Sequence, residues 1–274
     1  MRRFLVALSC CCVLVLLGSN HPLAVYNGAA DGTGHPAVGF VLGAKGPDPC
    51  DYNAQAIGCS GVLIAPDLFL STGDCTDSVK DSIATGFIDD GWIILDAEGL
   101  VAGETEPALD CSKFIHIESY DINPEYLATG NGDVGVMTLA VSQSIAPVSL
   151  PPVRDLRPKP RKRLPDITPV SFGELADAGA PGGFDIFTLK RRLAHASFGT
   201  LGAELHTATF DPVAGSDRPC VGFLTRGGPA FETDTNQVFS LAKYPNGTCD
   251  ITASFQRLDV PSVRNFLANY VTLP

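Results

Sequence analysis

Two cysteines 16 residues apart bracket an apolar stretch, Cys59-Ser60-Gly61-Val62-Leu63-Ile64 running to Phe69-Leu70-Ser71-Thr72-Gly73-Asp74-Cys75, and the second follows a carboxylate directly. Further along stand Gly132-Asp133-Val134-Gly135-Val136-Met137 and Arg226-Gly227-Gly228-Pro229-Ala230-Phe231. A carboxylate can accept a proton. A guanidinium stays protonated, so it is no nucleophile, but it can bridge carboxylates through charge-assisted hydrogen bonds. Covalent hydrolysis needs a hydroxyl or thiol beside a base. The histidines His35, His116, His195 and His206 and serines such as Ser71, Ser197 and Ser216 supply those groups. None stands in a recognisable nucleophile context, and surface or turn roles suit each.

The other reactive residues are nine cysteines. Cys10, Cys11 and Cys12 belong to a leader in which Met1-Arg2-Arg3 is followed by an apolar run from Phe4 to Leu17. That run falls short of the roughly 20 residues that span a bilayer, and it suits a secretory signal peptide over 1–24, cleaved near 18–24. Six cysteines remain: Cys50, Cys59, Cys75, Cys111, Cys220 and Cys249. An even number in an exported chain points to three disulfides. With no Cys-x-x-Cys and no close Cys/His pair after the leader, the expectation is no zinc, no other metal and no cofactor.

The elements that position these residues are short. The 274 residues are 45% hydrophobic and only 18% charged, and 28 Gly with 21 Pro punctuate the chain. Long amphipathic helices do not fit that pattern; a loop-rich all-β protein does. Strand-sized apolar runs lie at Ala37–Leu42, Gly61–Leu70, Ile93–Asp96, Val134–Val141, Val170–Phe172 and Asp185–Leu189. Only the end has helical spacing, through Val263, Phe266, Leu267, Tyr270 and Val271, with Pro261 suited to a first turn and Asp259 or Ser262 able to cap it.

The segment 150–165 holds Pro151, Pro152, Pro158, Pro160 and Pro165 among six Lys and Arg residues, as a linker would. The division that follows is 25–149, 150–165, 166–258 and a terminal helix over 259–274. The linker cations and Lys190-Arg191-Arg192 could meet an anion or, on a chain this acidic, simply be solvated. The net charge of −11, or −13 once Arg2 and Arg3 are removed with the leader, argues against nucleic acid as a partner. Asn246-Gly247-Thr248 fits both a glycosylation sequon and a turn.

Taken together, these segments resemble the trypsin-like serine proteases of peptidase family S1. The stretch Cys59 to Cys75 is similar to the family's segment around its catalytic histidine, Gly132 to Met137 to the segment of its catalytic aspartate, and Arg226 to Phe231 to Gly-Asp-Ser-Gly-Gly-Pro, which carries the nucleophile. Val25-Tyr26-Asn27-Gly28, Asn123-Pro124-Glu125-Tyr126 and Ser254-Phe255-Gln256-Arg257 resemble further family motifs in the same order. The resemblance implies two antiparallel six-stranded β-barrels packed together with a C-terminal α-helix. It also implies disulfides Cys59–Cys75 and Cys220–Cys249, with Cys50–Cys111 the remaining pair.

Carried over residue by residue, the pattern puts Asp133 at the aspartate, Asp74 at the histidine and Arg226 at the serine. The base and the nucleophile are thus replaced. Cys220 lies six residues before Arg226, where the family has four, so the oxyanion loop, with its remnant Gly222, Thr225 and Gly227, carries an insertion that should misplace its amides. Thr225 stands where the family has the acidic residue that pairs with the freed N-terminus, so Val25 is not expected to insert. Asp217 or Arg218 falls at the floor of the specificity pocket. If the fold gathers the three triad positions, Arg226 either bridges Asp74 and Asp133 or turns to solvent.

The expectation is a secreted, proteolytically inactive, monomeric homologue. It would bind an extracellular protein or peptide, with no membrane contact after leader cleavage. The competing class is a hydrolase with an unconventional active site.

Overall fold

The computed structural model describes residues 28–46, 58–95, 111–153, 166–173, 190–212, 219–220, 225–233, 235–243 and 251–274. The leader, Val25, Cys50, Cys249, the linker cations, the run 185–189, Asp217, Arg218, Gly222 and the Asn246 sequon lie outside the described residues.

After a two-residue β1 (Ala29–Ala30), the first half of the chain forms β2 (Val38–Ala44), β3 (Gly58–Ala65), β4 (Leu68–Ser71), β5 (Asp90–Ile94), β6 (Phe114–Ile122) and β7 (Gly135–Leu139). These six close a barrel in the order β2-β3-β4-β7-β6-β5, with every pairing antiparallel. All seven residues of β2 are buried, and Phe40, Leu63, Phe69, Leu70, Ile93 and Ile94 are fully buried on one face or the other of the barrel wall. Each such side chain removed from water contributes about 1.5–3 kcal/mol.

The second half supplies β8 (Ile167–Gly173), β9 (Lys190–Leu193), β10 (Ala196–Leu201), β11 (Leu205–Phe210), β12 (Pro229–Glu232), β13 (Val238–Ala242) and β14 (Thr252–Arg257). Gly173 pairs with Lys190, Val170 with Leu193 and Ile167 with Ala196, so β9 and β10 run as one interrupted strand along β8. The order β8-β10-β11-β14-β13-β12 closes through the β12–β8 pairing into a second six-stranded barrel. The chain therefore folds as two antiparallel six-stranded barrels.

Several details differ from the sequence expectation. Ala29–Ala30, which falls in the 25–149 division, pairs with Leu193 and Arg192 on β9 of the second half. Helix is not confined to the end, because α1 (Gly73–Ala84) and α2 (Pro124–Thr129) precede α3 (Pro261–Leu267). The α1 helix buries only Gly73, Cys75, Thr76 and Val79, too narrow a face to print a 3.6-residue stripe. Its start is set locally instead: Thr72 is the N-cap, accepting Cys75 N–H, and Asp74 lies in the first turn.

At α3, Pro261 does occupy the first turn, but Val260 is the N-cap and makes no side-chain cap bond. Asp259 is taken by Arg257 at 2.8 Å and Ser262 Oγ by Glu204, so neither expected cap is free to act as one. The helix ends at Leu267, seven residues before the terminus. Asn123, which caps α2, also donates to the Ser262 carbonyl at 3.2 Å and ties α3 to the first barrel.

The barrels share a packed seam. Phe40 of one and Phe172 of the other have ring centroids 5.8 Å apart, and Phe172 N–H donates to Ser60 Oγ at 2.9 Å. Arg191 is buried there. Its guanidinium reaches Asp31 at 2.7 Å, the Leu95 carbonyl at 3.0 Å and the Gly32 carbonyl at 2.6 Å. Burial pushes the Asp31 carboxyl up, yet hydrogen bonds from His35 and Arg191 outweigh it and hold the group below its usual range. Arg191 and Arg192 are both buried, so neither is the solvated cation that the acidity of the chain suggested.

Candidate functional site

The three singled-out positions come from three elements and meet between the barrels. Asp74 is the second residue of α1, placed by the Thr72 cap and by the Cys59–Cys75 disulfide, which fixes the first turn to β3. Asp133 precedes β7, its side chain 2% exposed. Arg226 lies in the turn before β12, its side chain 4% exposed.

That turn is held closely. Ser60 N–H donates to the Arg226 carbonyl at 2.8 Å, and Gly228 N–H to the Thr225 carbonyl at 3.0 Å. Gly227 has φ +78° and sits so tightly against Ser71 Oγ and the Ser60 carbonyl that a Cβ would collide with both. Gly227 N–H is itself committed, donating to the Ala242 carbonyl at 2.8 Å.

The side chains form two ion pairs. Arg226 Nη1 lies 2.9 Å from Asp74 Oδ2. Asp133 Oδ1 accepts Asp74 N–H at 3.0 Å, while Asp133 Oδ2 is 3.0 Å from Lys243 Nζ. Of the two outcomes left open for Arg226, a bridge between both carboxylates or a turn to solvent, the structure shows a buried guanidinium paired with Asp74, while Lys243 pairs with Asp133. Sequence reasoning missed Lys243: it directly follows β13 and carries no local signature, since only closure of the second barrel brings it to Asp133. Behind the site, Asp133 N–H donates to Gln256 Oε1 at 3.1 Å.

Two carboxylates and two cations make the cluster formally neutral. Tyr126 of α2 borders it, with Cδ1 2.7 Å from where a Cβ on Gly73 would stand. Burial, then the carboxylates of Asp133, Asp74 and Asp77, push the Tyr126 phenol up to about 12, so it is a neutral donor at ordinary pH. Asp77, one turn along α1, is raised by partial burial and by Asp81.

The remaining expected residues are dispersed. Thr225 is buried beside the turn. Cys220 is disulfide-bonded, with its expected partner Cys249 outside the described residues. Cys111 opens a short 3-10 turn ahead of β6. His35 contacts Asp31, and His116 Nε2 lies 2.6 Å from Asp90 Oδ2. His195 faces Thr168 at 3.4 Å.

One histidine does meet a serine: His206 Nε2 and Ser240 Oγ are 2.7 Å apart. Both are sealed in the second barrel, 1% and 0% exposed, with the imidazole stacked between Phe198 and Phe255. No substrate carbonyl can reach that serine. Burial lowers the His206 imidazole to about 4 and keeps it neutral. Among the described residues, no three His, Cys, Asp or Glu side chains gather as metal ligands, and no helix is long and apolar enough to cross a membrane.

No family profile matches the sequence, and no curated protein is significantly similar to it. Solved structures are similar in fold. A structure titled HL collagenase superimposes with a TM-score of 0.59 at 16% identity, covering 89% of this chain and 96% of that one. Two scabies mite inactivated protease paralogues also match. S-D1 has a TM-score of 0.59 at 12% identity, covering 90% of this chain and 99% of its own, and S-I1 has 0.54 at 13%, covering 85% and 92%. The two closed barrels, the seam between them and the terminal helix are those of the trypsin-like proteases, and that is the fold this chain has.

Proposed function

We propose that this chain is a proteolytically inactive member of the trypsin-like group that acts outside the cell by binding a protein or peptide. The observation that carries the reading is the Arg226–Asp74 ion pair: a guanidinium and a carboxylate occupy the positions where the fold's chemistry needs a hydroxyl and an imidazole. Asp133 persists, but its carboxylate serves an amide and Lys243 instead of an imidazole. The His206–Ser240 pair offers no substitute, being buried and neutral. Export is supported by the leader and the Cys59–Cys75 disulfide, a bond that oxidising compartments preserve.

Two of the similar structures bear the description inactivated protease. Their likeness to this chain is one of fold, so loss of chemistry is argued here from the residues. The test is casein turnover by purified mature protein whose folding is verified by circular dichroism, with pull-down from its native extracellular medium. No turnover and a specific retained protein or peptide support the reading; turnover by the folded protein overturns it.

A further inference from the structure

Of the two arginines in the central Lys190-Arg191-Arg192 run, Arg192 is the one that is buried without a counter-charge. On β9 it pairs in register with Ser171 of β8 on one side and Ala30 of β1 on the other. Directly opposed residues on antiparallel neighbours project to the same face, so this guanidinium and the Ser171 hydroxyl emerge together. They are 4% and 3% exposed, and neither Arg192 Nε nor Ser171 Oγ has a hydrogen-bond partner.

The contrast with Arg191 is direct. One residue earlier and on the opposite face, Arg191 meets a carboxylate and carbonyls. Arg192 has none, and burial alone lowers it to about 10. A desolvated guanidinium without an anion is strongly disfavoured, and so is an orphaned buried hydroxyl. One ligand would satisfy both.

We propose that Arg192 and Ser171 form a buried carboxylate-binding site. The unfilled Nε edge of a guanidinium takes a carboxylate through two parallel hydrogen bonds, and the serine hydroxyl donates a third. One cationic charge balances one negative charge, so a monoanionic carboxylate suits the site better than a dianion, whose second charge would stay buried and unpaired. The site abuts the turn after Arg226: a Cβ on Gly228 would come within 2.7 Å of Ser171 Cβ. It is separate from the Asp74–Asp133 cluster and stands whether or not that cluster is inactive.

The experiment is thermal unfolding of the purified protein in increasing sodium acetate at constant ionic strength, set by chloride, for wild type, Arg192→Met and Ser171→Ala. A short peptide with a free C-terminal carboxylate and its amide separate a free small acid from a peptide terminus as the source. The wild-type midpoint rises with acetate, Arg192→Met is flat and at least as stable as wild type without acetate, and Ser171→Ala weakens the response about tenfold. Equal acetate responses in wild type and Arg192→Met, or no response in wild type, overturn the site. Should Arg192→Met not fold, crystals soaked in bromoacetate decide: bromine density beside Arg192 Nε supports the site, and its absence overturns it.

Discussion

Lys243 Nζ stands 3.0 Å from Asp133 Oδ2, an ion pair that joins the end of β13 in the second barrel to the loop before β7 in the first. The other oxygen of that carboxylate accepts Asp74 N–H, so both sides of Asp133 are occupied. This one carboxylate therefore ties α1 and the loop before β7 to the end of β13.

Removing that cation should leave a buried carboxylate short of a partner. Lys243→Met is expected to lower stability by about 1–3 kcal/mol, less than for a fully buried pair because Lys243 is 25% exposed. Lys243→Arg should recover most of the loss. Urea denaturation midpoints check both, and an unchanged midpoint for Lys243→Met would show that the pair contributes nothing.

Restoring the two missing triad residue types should not restore chemistry. In Asp74→His with Arg226→Ser, the introduced imidazole would still meet an Asp133 already paired to Lys243. The serine would sit on a turn whose Gly227 N–H is spent on the Ala242 carbonyl. Esterase assays on the double variant should show no turnover above buffer. Measurable turnover would mean that Lys243 yields the carboxylate.

His206 makes stability pH-dependent. Its imidazole titrates near 4 when folded and near 6.5 when unfolded, so the unfolded chain binds the extra proton between those values. Its contribution is complete above pH 6.5, falls as pH drops toward 4, and levels off below, for a total on the order of 3 kcal/mol. His206→Phe should flatten this segment of the midpoint-versus-pH curve. An identical slope in the variant would rule His206 out as its source.

Gly227→Ala tests the turn that presents Arg226. The residue has φ +78°, and the added methyl would strike Ser71 Oγ and the Ser60 carbonyl, so a loss above about 2 kcal/mol is expected. Thermal unfolding reads it; a near-neutral substitution would mean that the seam beside Ser60 relaxes freely.

How much of this was legible in the sequence depended on whether the cause was local. The runs at Gly61–Leu70 and Val134–Val141 became β3, β4 and β7 because buried strands carry apolar residues in sequence, and the Cys59–Cys75 disulfide is the one that the resemblance to the trypsin-like proteases implied. Asp74, Asp133 and Arg226 were found through the motifs around them. Lys243 was not, because its role comes from a partner 110 positions away in another barrel. Arg191 and Arg192 looked like a solvated charge run, since nothing in three adjacent cations reveals that both faces of β9 are covered at these two residues. The α1 helix hid for a different reason: its cap and disulfide set it, with little apolar periodicity.

Whether any serine of this chain is an activated nucleophile is read by treating the folded mature protein with a fluorophosphonate and measuring its intact mass. An unmodified mass is expected. A stoichiometric phosphonyl adduct on any serine would overturn the proteolytically inactive reading.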